Sequence, residues 1–290
     1  MPSQTQFLTI NEALRQGTRL LEEGAVQAPR LTAEVLLSHA LQRDRVYLFA
    51  HSSDQLSELV WIHYGRYLHQ RLAGMPTQYI TKKQEFYGRD FAVSPAVLIP
   101  RPETEHVVSA ALRRIAPNHT ILDAGCGSGA IAVTLALETQ AQTWAADIST
   151  EALTIASRNA QLLQARVRFV ASDWLDAFAP ESFDVVVSNP PYVGLHESDG
   201  LQREVREFEP HLALFGGETG HENYQTLITQ AGRVLRPGGW LILELGWKSL
   251  EPVQAMLSHG WTDIDFECDL SRIPRALAAR LQARGPRGTL

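Results

Sequence analysis

Apolar residues in about the first eighty positions recur at the three- and four-residue spacing of amphipathic helices. Thr9-Ile10-Asn11-Glu12 has the spacing of a capping box and predicts a helix start. A second helix is predicted from Leu31 to Leu41, and a third from Ser53 or Asp54 to Leu72. We therefore predict a small all-helical domain over residues 1–78, which either recognises a protein substrate or caps the rest of the chain.

The pattern changes after Tyr79. Phe86 to Val93 carries aromatic and β-branched residues on both sides of Gly88, which predicts a β-hairpin. Two prolines make Leu98 to Glu105 an extended connector. Residues 79–104 are therefore interpreted as a hairpin followed by a Pro-rich connector.

From Thr120 onward, short apolar strands alternate with helices. This alternation predicts an α/β fold over residues 105–290, with a parallel, doubly wound sheet that has helices on both faces. The predicted strands are residues 120–123, 143–147, 167–171, 183–188, 240–245, 261–268 and 276–281. The predicted helices are residues 105–115, 130–137, 151–163 and 224–235, and residues 237–239 are predicted to form a turn.

Composition narrows the possible partners. The net charge of −6 argues against a protein whose main role is to bind nucleic-acid phosphates, and no apolar run approaches the length of a membrane span. The two cysteines and the absence of a signal sequence favour the cytoplasm, and the ten histidines lack metal-ligand spacing. We expect a cytoplasmic monomer without a metal. The basic residues of the C-terminal segment are interpreted as solvated side chains: Arg272, Arg275, Arg280, Arg284 and Arg287.

A glycine-rich loop connects the first predicted strand to the following helix. It reads Asp123-Ala124-Gly125-Cys126-Gly127-Ser128-Gly129, and glycines there allow positive φ angles and close approach of the backbone to a ligand. Gly125, Gly127 and Ala130 also satisfy the dinucleotide fingerprint, so the loop alone leaves the cofactor open.

Acidic residues help to distinguish the possible cofactors. A carboxylate at Asp123 opposes a pyrophosphate but suits a ligand that carries an ammonium and a sulfonium. Asp147 ends the second strand, where an acid accepts hydrogen bonds from ribose hydroxyls. Ser172-Asp173-Trp174 follows the third strand and offers a polar edge and an aromatic wall for an adenine.

Asn189-Pro190-Pro191-Tyr192 follows an apolar strand, at the end where ligand chemistry occurs in open α/β sheets. Methyl transfer to a planar nitrogen depends on orientation and on charge stabilisation. Asn189 Oδ1 and the Pro190 carbonyl are each predicted to accept one N–H of an acceptor –NH₂, which directs the nitrogen lone pair at the methyl group. The Tyr192 ring is predicted to pack on the planar acceptor. No dedicated general base is evident, and none is needed if the proton leaves to water after methyl transfer.

With these motifs in place, nearly the whole chain resembles the release factor glutamine methyltransferase family. The resemblance implies a helical N-terminal domain joined by a β-hairpin to a Rossmann-like, seven-stranded methyltransferase domain. The matching segments include Gln78-Tyr79-Ile80, Phe86-Tyr87-Gly88, Leu98 to Glu105, Asp123 to Gly129, Ser172-Asp173-Trp174, Asn189 to Tyr192 and Phe208-Glu209-Pro210 with Gly217.

The resemblance also implies the reaction. S-adenosyl-L-methionine would be the methyl donor and S-adenosyl-L-homocysteine the product. The substrate would be a class I peptide chain release factor, methylated on the side-chain amide nitrogen N5 of the glutamine in its Gly-Gly-Gln motif. By this likeness Gly125 to Gly129, Asp147 and Trp174 bind the cofactor, and Asn189 touches cofactor and substrate. Pro100, Arg101 and Glu103 would border the acceptor pocket, and Glu209 would be a partner for backbone groups.

Two related enzymes and one non-catalytic protein remain as alternatives. Ribosomal-protein glutamine methyltransferases carry Ser where this chain has Pro102, so Pro102 favours the release factor branch. A methyltransferase acting on adenine or guanine amino groups would need a basic groove for a flipped base, which the net charge of −6 disfavours. A module that only binds the cofactor would not require the intact Asn189 to Tyr192 motif.

Overall fold

The computed structural model describes residues 8–257 and 259–283. The chain divides into two compact units. The first contains the N-terminal helices up to Lys82 together with Gln202–Phe208, and the second contains Lys83–Leu201 and the chain from Glu209 onward. No helix among the described residues combines the length and the apolar character that a membrane span requires.

The helices are α1 (Ile10–Glu23), α2 (Pro29–Leu41), α3 (Arg45–Ala50), α4 (Glu58–Leu72), α5 (Thr77–Thr81), α6 (Glu105–Leu112), α7 (Ala130–Glu138), α8 (Thr150–Leu162), α9 (Arg203–Phe208), α10 (Glu222–Val234) and α11 (Leu250–Met256). The strands are β1 (Lys83–Phe86), β2 (Arg89–Ala92), β3 (Thr120–Ala124), β4 (Gln142–Asp147), β5 (Val167–Ala171), β6 (Phe183–Ser188), β7 (Leu235–Glu244), β8 (Trp261–Cys268) and β9 (Pro274–Leu281). Short 3₁₀ helices cover Pro102–Thr104, Leu195–Gly200 and His211–Ala213.

The first helix begins at the predicted capping box. The Glu12 backbone N–H donates to Thr9 Oγ1 at 3.3 Å, and the Thr9 N–H donates to Glu12 Oε2 at 2.8 Å. The predicted start of the third helix at Ser53 or Asp54 is wrong, because the Asp54 carbonyl accepts the Ile10 N–H and this segment pairs with the start of α1. The corresponding helix, α4, begins instead after the N-cap Ser57.

The first unit extends beyond the domain predicted at residues 1–78, and it includes α9 from the middle of the chain. Within this unit Arg71 forms an ion pair with Glu204, and Arg203 Nη2 donates to the Ala73 carbonyl at 3.3 Å. These polar contacts depend on residues about 130 positions apart, so the helical pattern of the N-terminal residues does not reveal them.

The second unit contains the predicted α/β sheet. The strand order is β5-β4-β3-β6-β7-β9-β8, with parallel pairing from β5 to β7 and antiparallel pairing of β9 with both neighbours. The predicted turn at residues 237–239 is wrong, because β7 continues through it. Phe183 pairs with Leu235 and Val185 with Trp240, so the residues between Leu235 and Trp240 form an irregularity within one strand.

Successive residues of the central strands face opposite sides of the sheet, as the pleat requires. Leu122 and Val186 join a buried cluster with α10 and α11, whereas Ile121 and Val187 join a cluster with α6 and α7. Both faces of the sheet are therefore covered, which is why its strands are apolar runs.

The hairpin β1–β2 belongs to the second unit. Asn159 on α8 ties it to the glycine loop: its Oδ1 accepts the Ala92 N–H at 2.8 Å, and its Nδ2 donates to the carbonyls of Ala92 and Ser128. The predicted hairpin is thus fixed to the glycine loop at the edge of the sheet.

The prediction of solvated C-terminal arginines is wrong for Arg275. Its side chain is 18% exposed, and its Nε donates to Asp269 Oδ2 at 2.8 Å. Arg272 and Arg280 are exposed, and Arg280 Nε donates to the Gly238 carbonyl at 3.0 Å. Arg284 and Arg287 lie outside the described residues.

Candidate active site

A cavity of about 340 Å³ opens in the second unit, and residues that follow β3, β4, β5 and β6 form part of its wall. The sequence-predicted residues in the wall are Pro100, Gly125, Cys126, Gly127, Ser128, Asp147, Ser172, Asp173, Trp174, Asn189 and Pro191. The predicted residues outside the wall are Arg101, Glu103, Asp123, Gly129, Pro190 and Tyr192. The structure therefore brings the glycine loop, the acidic strand end and the Asn-Pro-Pro-Tyr turn to one cavity.

Two glycines of the loop are required for different structural reasons. Gly127 has φ +53°, and a Cβ added there would meet no atom within 4 Å, so this part of the loop is open. Gly129 has φ +80°, and its Cβ would lie 3.0 Å from the Cβ of Ala156 on α8. Gly129 thus permits close packing of α7 against α8, while Gly127 leaves space beside the backbone.

Asp147 is fixed by two backbone donors. Its Oδ2 accepts the Gly127 N–H at 2.8 Å and its Oδ1 accepts the Ser149 N–H at 2.9 Å. Each carboxylate oxygen keeps a lone pair for a further donor. Since Asp147 lines the cavity, the strand end offers a preoriented acceptor to ligand hydroxyls.

Asp123 occupies a different place from the one its motif suggests. Its side chain is fully buried, and Oδ2 accepts the Ala132 N–H at 2.9 Å. Burial and, to a smaller extent, the negative charge of Asp147 raise the pKa of Asp123 to about 7, although the hydrogen bond from the Ala132 N–H lowers it. This carboxyl anchors the start of α7 through the Ala132 N–H, and Asp123 is not among the residues of the cavity wall, so its contact with a cofactor stays a prediction.

Trp174 presents its ring to the loop. Its φ of +46° is unusual for a residue with a side chain. A Cβ on Gly125 would lie 3.1 Å from the Trp174 ring, so the glycine allows the indole to approach the loop backbone. The indole of Trp174 thus forms a flat aromatic part of the cavity wall, and the backbone that carries it is strained.

The Asn189–Tyr192 turn is enclosed by distant glycines. Added Cβ atoms would lie 2.5 Å from the Pro191 carbonyl oxygen at Gly216, 2.4 Å from the Tyr192 carbonyl oxygen at Gly220, and 2.7 Å from the Tyr192 ring at Gly246. In addition, Asn223 Nδ2 donates to the Pro191 carbonyl at 3.0 Å. The prolines and these contacts together hold the turn in one conformation. Sequence reasoning missed them because the partners lie far along the chain.

The two polar side chains of the turn have defined partners. Asn189 Nδ2 donates to Thr104 Oγ1 at 3.1 Å, and Tyr192 Oη donates to Glu244 Oε1 at 3.4 Å. Burial raises the pKa of the Tyr192 hydroxyl, and the negative charge of Glu244 adds to the effect. Tyr192 is therefore a neutral phenol, and the Asn189 Oδ1 is the atom of the amide left to accept from a ligand.

The Pro100–Glu105 segment is held by ion pairs. Arg101 pairs with Glu209 Oε1, and Glu209 Oε2 accepts the Ile99 N–H at 3.1 Å, which confirms the predicted role of Glu209 as a partner of the backbone. Glu103 Oε1 lies 4.0 Å from Arg275 Nη2. These charges fix the segment that carries Pro100 and Thr104, and they do not form the cavity wall.

Comparison with known sequences identifies the class. The sequence model of the PrmC N-terminal domain family matches residues 12–81, and that of the methyltransferase small domain family matches residues 105–208. A methyltransferase from Pyrococcus furiosus superposes with a TM-score of 0.54 at 19% identity, covering 75% of this chain and 99% of that chain. The hMettl16 catalytic domain in complex with the MAT2A 3′UTR hairpin 6 gives a TM-score of 0.55 at 18% identity, covering 77% and 84%. The chain is thus a methyltransferase, and these two superpositions show the shared fold alone.

Closer relatives specify the family. The release factor glutamine methyltransferase of Koribacter versatilis is 46% identical, covering 94% of this chain and 99% of the relative. The proteins of the same name from Moorella thermoacetica and Nitratidesulfovibrio vulgaris are 44% and 39% identical, covering 82% and 96% of this chain and 86% and 97% of the relatives. The chain belongs to the release factor glutamine methyltransferase family. The resemblance, the fold class and the enzyme class predicted from the sequence are confirmed.

Proposed function

We propose that this protein transfers a methyl group from S-adenosyl-L-methionine to the side-chain amide nitrogen N5 of the glutamine in the Gly-Gly-Gln motif of class I peptide chain release factors. The main structural support for the proposal is the orientation of the Asn189 side-chain amide. Its NH₂ is occupied by Thr104 at 3.1 Å, which leaves Oδ1 to accept from an acceptor –NH₂. The family membership and the names of the relatives support the same reaction.

The residues of the cavity fit the donor. S-adenosyl-L-methionine supplies an electrophilic methyl group on a sulfonium. Asp147, fixed by Gly127 and Ser149, offers its remaining lone pairs to ribose hydroxyls. Trp174 offers an indole face to an adenine, and the open position at Gly127 lets the chain approach the ligand closely.

The acceptor turn orients a poor nucleophile. An amide nitrogen has a lone pair delocalised into its carbonyl, so it reacts only when the lone pair is directed at the methyl group. Asn189 Oδ1 and the Pro190 carbonyl would each accept one N–H of the acceptor, and both would favour the positive charge that develops on nitrogen. Tyr192 would contribute its ring, since its hydroxyl is directed to Glu244 and is not available as a base.

The protein partner and the setting complete the proposal. A class I release factor would bind a monomer in the cytoplasm, without direct contact to nucleic acid.

The first unit exposes apolar side chains, with Phe49 58%, Leu59 64% and Ile62 59% exposed, and we assign them to contact with that partner in preference to a purely capping role. Ile62→Ser should then raise KM for the release factor several-fold with kcat unchanged, whereas Leu162→Ser, at a residue 64% exposed on α8, should change neither. An unchanged KM in Ile62→Ser would contradict contact with the release factor and would favour the purely capping role.

The proposal is tested by offering labelled S-adenosyl-L-methionine with a purified release factor, ribosomal proteins and total RNA in parallel reactions. The expected result is label in the release factor alone, lost when its Gly-Gly-Gln glutamine is replaced by alanine. Label in RNA alone would establish a nucleic-acid amino methyltransferase, and label in a ribosomal protein would establish the other glutamine methyltransferase branch. No transfer to any of them at saturating cofactor would indicate a binding module.

A further inference from the structure

One side of the cavity wall is formed by a short stretch that follows Glu209. Its side chains in the wall are all apolar and belong to Pro210, Leu212, Ala213 and Phe215. Leu212 is also 63% exposed, so it lies at the rim of the cavity, between the interior and solvent. These side chains carry no hydrogen-bonding groups, so they can select a ligand only by shape and apolar contact.

Hydrogen bonds join this stretch to the acceptor turn. Val193, the residue after the turn, donates its N–H to the Leu214 carbonyl at 3.0 Å, and its own carbonyl accepts the Gly216 N–H at 2.9 Å. Asn223, which lines the same cavity, donates to the Pro191 carbonyl at 3.0 Å. The apolar rim therefore belongs to the acceptor end of the cavity.

The backbone of the rim is held in place. The Ala213 N–H donates to the Pro210 carbonyl at 2.9 Å, and the Phe215 N–H donates to the His211 carbonyl at 3.0 Å. The His211 and Phe215 rings lie edge to face, with their centroids 5.4 Å apart. Glu209, directly before this turn of 3₁₀ helix, is fixed by its ion pair and by a backbone N–H. A side chain on such a support is already in position when a peptide approaches, so it can exclude ligands as well as bind them.

The size of the cavity indicates what lies over the rim. A volume of about 340 Å³ is at the small end of the range for a site that holds one small molecule. With a cofactor bound, the space that remains suits an acceptor side chain but not the backbone that carries it. The substrate residues next to the methylated glutamine therefore lie outside the cavity, at the rim beside the acceptor turn.

We propose that Leu212 is a specificity-determining residue that admits only a small residue, such as glycine, beside the methylated glutamine. The inference rests on the proposed function and adds a determinant of the substrate sequence to it. A glycine has no side chain, so its backbone can lie directly against Leu212. A larger residue would have to displace a side chain that stands on a fixed backbone, and one added methyl group in an apolar site costs about 10-fold or more in kcat/KM.

The test uses two forms of the release factor as substrates, one with Gly-Gly-Gln and one with Gly-Ala-Gln. For each enzyme, initial rates with labelled S-adenosyl-L-methionine give the ratio of the two kcat/KM values, Gly-Gly-Gln over Gly-Ala-Gln. This ratio should be about 10-fold lower in Leu212→Ala than in the wild type, and higher in Leu212→Phe. Every enzyme receives the same two substrates, so an effect of the alanine on the release factor itself cancels in the comparison.

Leu195→Ala is the matched control. Leu195 is an exposed leucine in the segment that follows the acceptor turn, but it lies outside the cavity wall. Its variant should have the same ratio as the wild type. The dissociation constant for the cofactor, measured by calorimetry, should change by less than about 3-fold in all three variants, because the rim acts on the acceptor.

The outcomes separate the inference from the proposed function. An unchanged ratio in Leu212→Ala, with normal methylation of the Gly-Gly-Gln form, would overturn the inference and leave the proposed function intact. Equal kcat/KM values for the two substrates in the wild type, or an equal fall of the ratio in Leu195→Ala, would overturn the inference as well. A wild type that methylates neither form would refute the proposed function, and the inference would fail with it.

Discussion

The cofactor end and the acceptor end of the cavity are built in different ways. At the cofactor end, Asp147 and the glycine loop are joined by a direct hydrogen bond between residues 20 positions apart. At the acceptor end, Asn189 and Tyr192 depend on Thr104 and Glu244, which lie 85 and 52 positions away. The geometry of the cofactor end is thus set by residues close together in the sequence. The geometry of the acceptor turn is set by residues far from it in the sequence.

The largest expected effect tests whether the acceptor end acts on chemistry and not on cofactor binding. Asn189→Ala should lower kcat by about 1,000-fold, because an acceptor for the developing charge is lost. The dissociation constant for S-adenosyl-L-methionine, measured by calorimetry, should change by less than about 5-fold. Asn118→Ala, at an exposed position, is the control and should match the wild type. Near-normal turnover in Asn189→Ala would remove the turn from the mechanism.

The next effect tests the dependence of the turn on distant glycines. Gly246→Ala places a Cβ 2.7 Å from the Tyr192 ring and should lower kcat about 10- to 100-fold, with cofactor affinity retained. Gly232→Ala in α10 meets no atom within 4 Å and should leave kcat unchanged and raise stability slightly. Equal kcat values for the two variants would show that the turn tolerates displacement of Tyr192.

At the cofactor end, the expected effect is on binding. Asp147→Asn keeps one acceptor oxygen but loses the charge and one of the bonds to Gly127 and Ser149, so cofactor affinity should fall about 10-fold or more. At saturating cofactor, kcat should remain within about 3-fold of the wild type. A large loss of kcat with unchanged affinity would contradict the division between the two ends.

The smallest effect concerns the buried carboxyl behind each end. Burial raises the pKa of Asp123 and of Glu244 to about 7, above the value in the unfolded chain. The folded state therefore binds more protons between about pH 4.5 and pH 7, and stability should fall as the pH rises through this range. Thermal unfolding at pH 5.5 and pH 8 should show a smaller fall, by roughly a few degrees, in Asp123→Asn and in Glu244→Gln than in the wild type. An identical pH dependence in the wild type and in both variants would mean that the pKa values of Asp123 and Glu244 are not raised in the folded protein.

The same contrast explains what could be predicted from the sequence. Periodicity predicted the doubly wound sheet, and the capping box at Thr9 and the strand after Ser182 were located correctly, because these signals are local. The loop, Asp147, Trp174 and Asn189 were placed at the cavity for the same reason. Asp123 shared that motif, yet its side chain faces the core and anchors Ala132.

The remaining features required long-range contacts. The first unit includes α9, whose Glu204 forms an ion pair with Arg71 far earlier in the chain, and the half-buried Arg275 Nη2 lies 4.0 Å from Glu103 Oε1. Thr104 lies in the Pro-rich segment, but its hydrogen bond with Asn189 joins residues 85 positions apart. Hydrophobic periodicity carries no information on such polar pairs.

The central claim is that the Asn189–Tyr192 turn presents a glutamine side-chain amide to the methyl donor. Tandem mass spectrometry of the release factor after incubation with the protein and S-adenosyl-L-methionine tests it most directly. We expect one added methyl group, located by fragmentation on the side-chain nitrogen of the glutamine in the Gly-Gly-Gln peptide, and absent with Asn189→Ala. A methyl group on another atom of the release factor, or the same modification with Asn189→Ala, would contradict it.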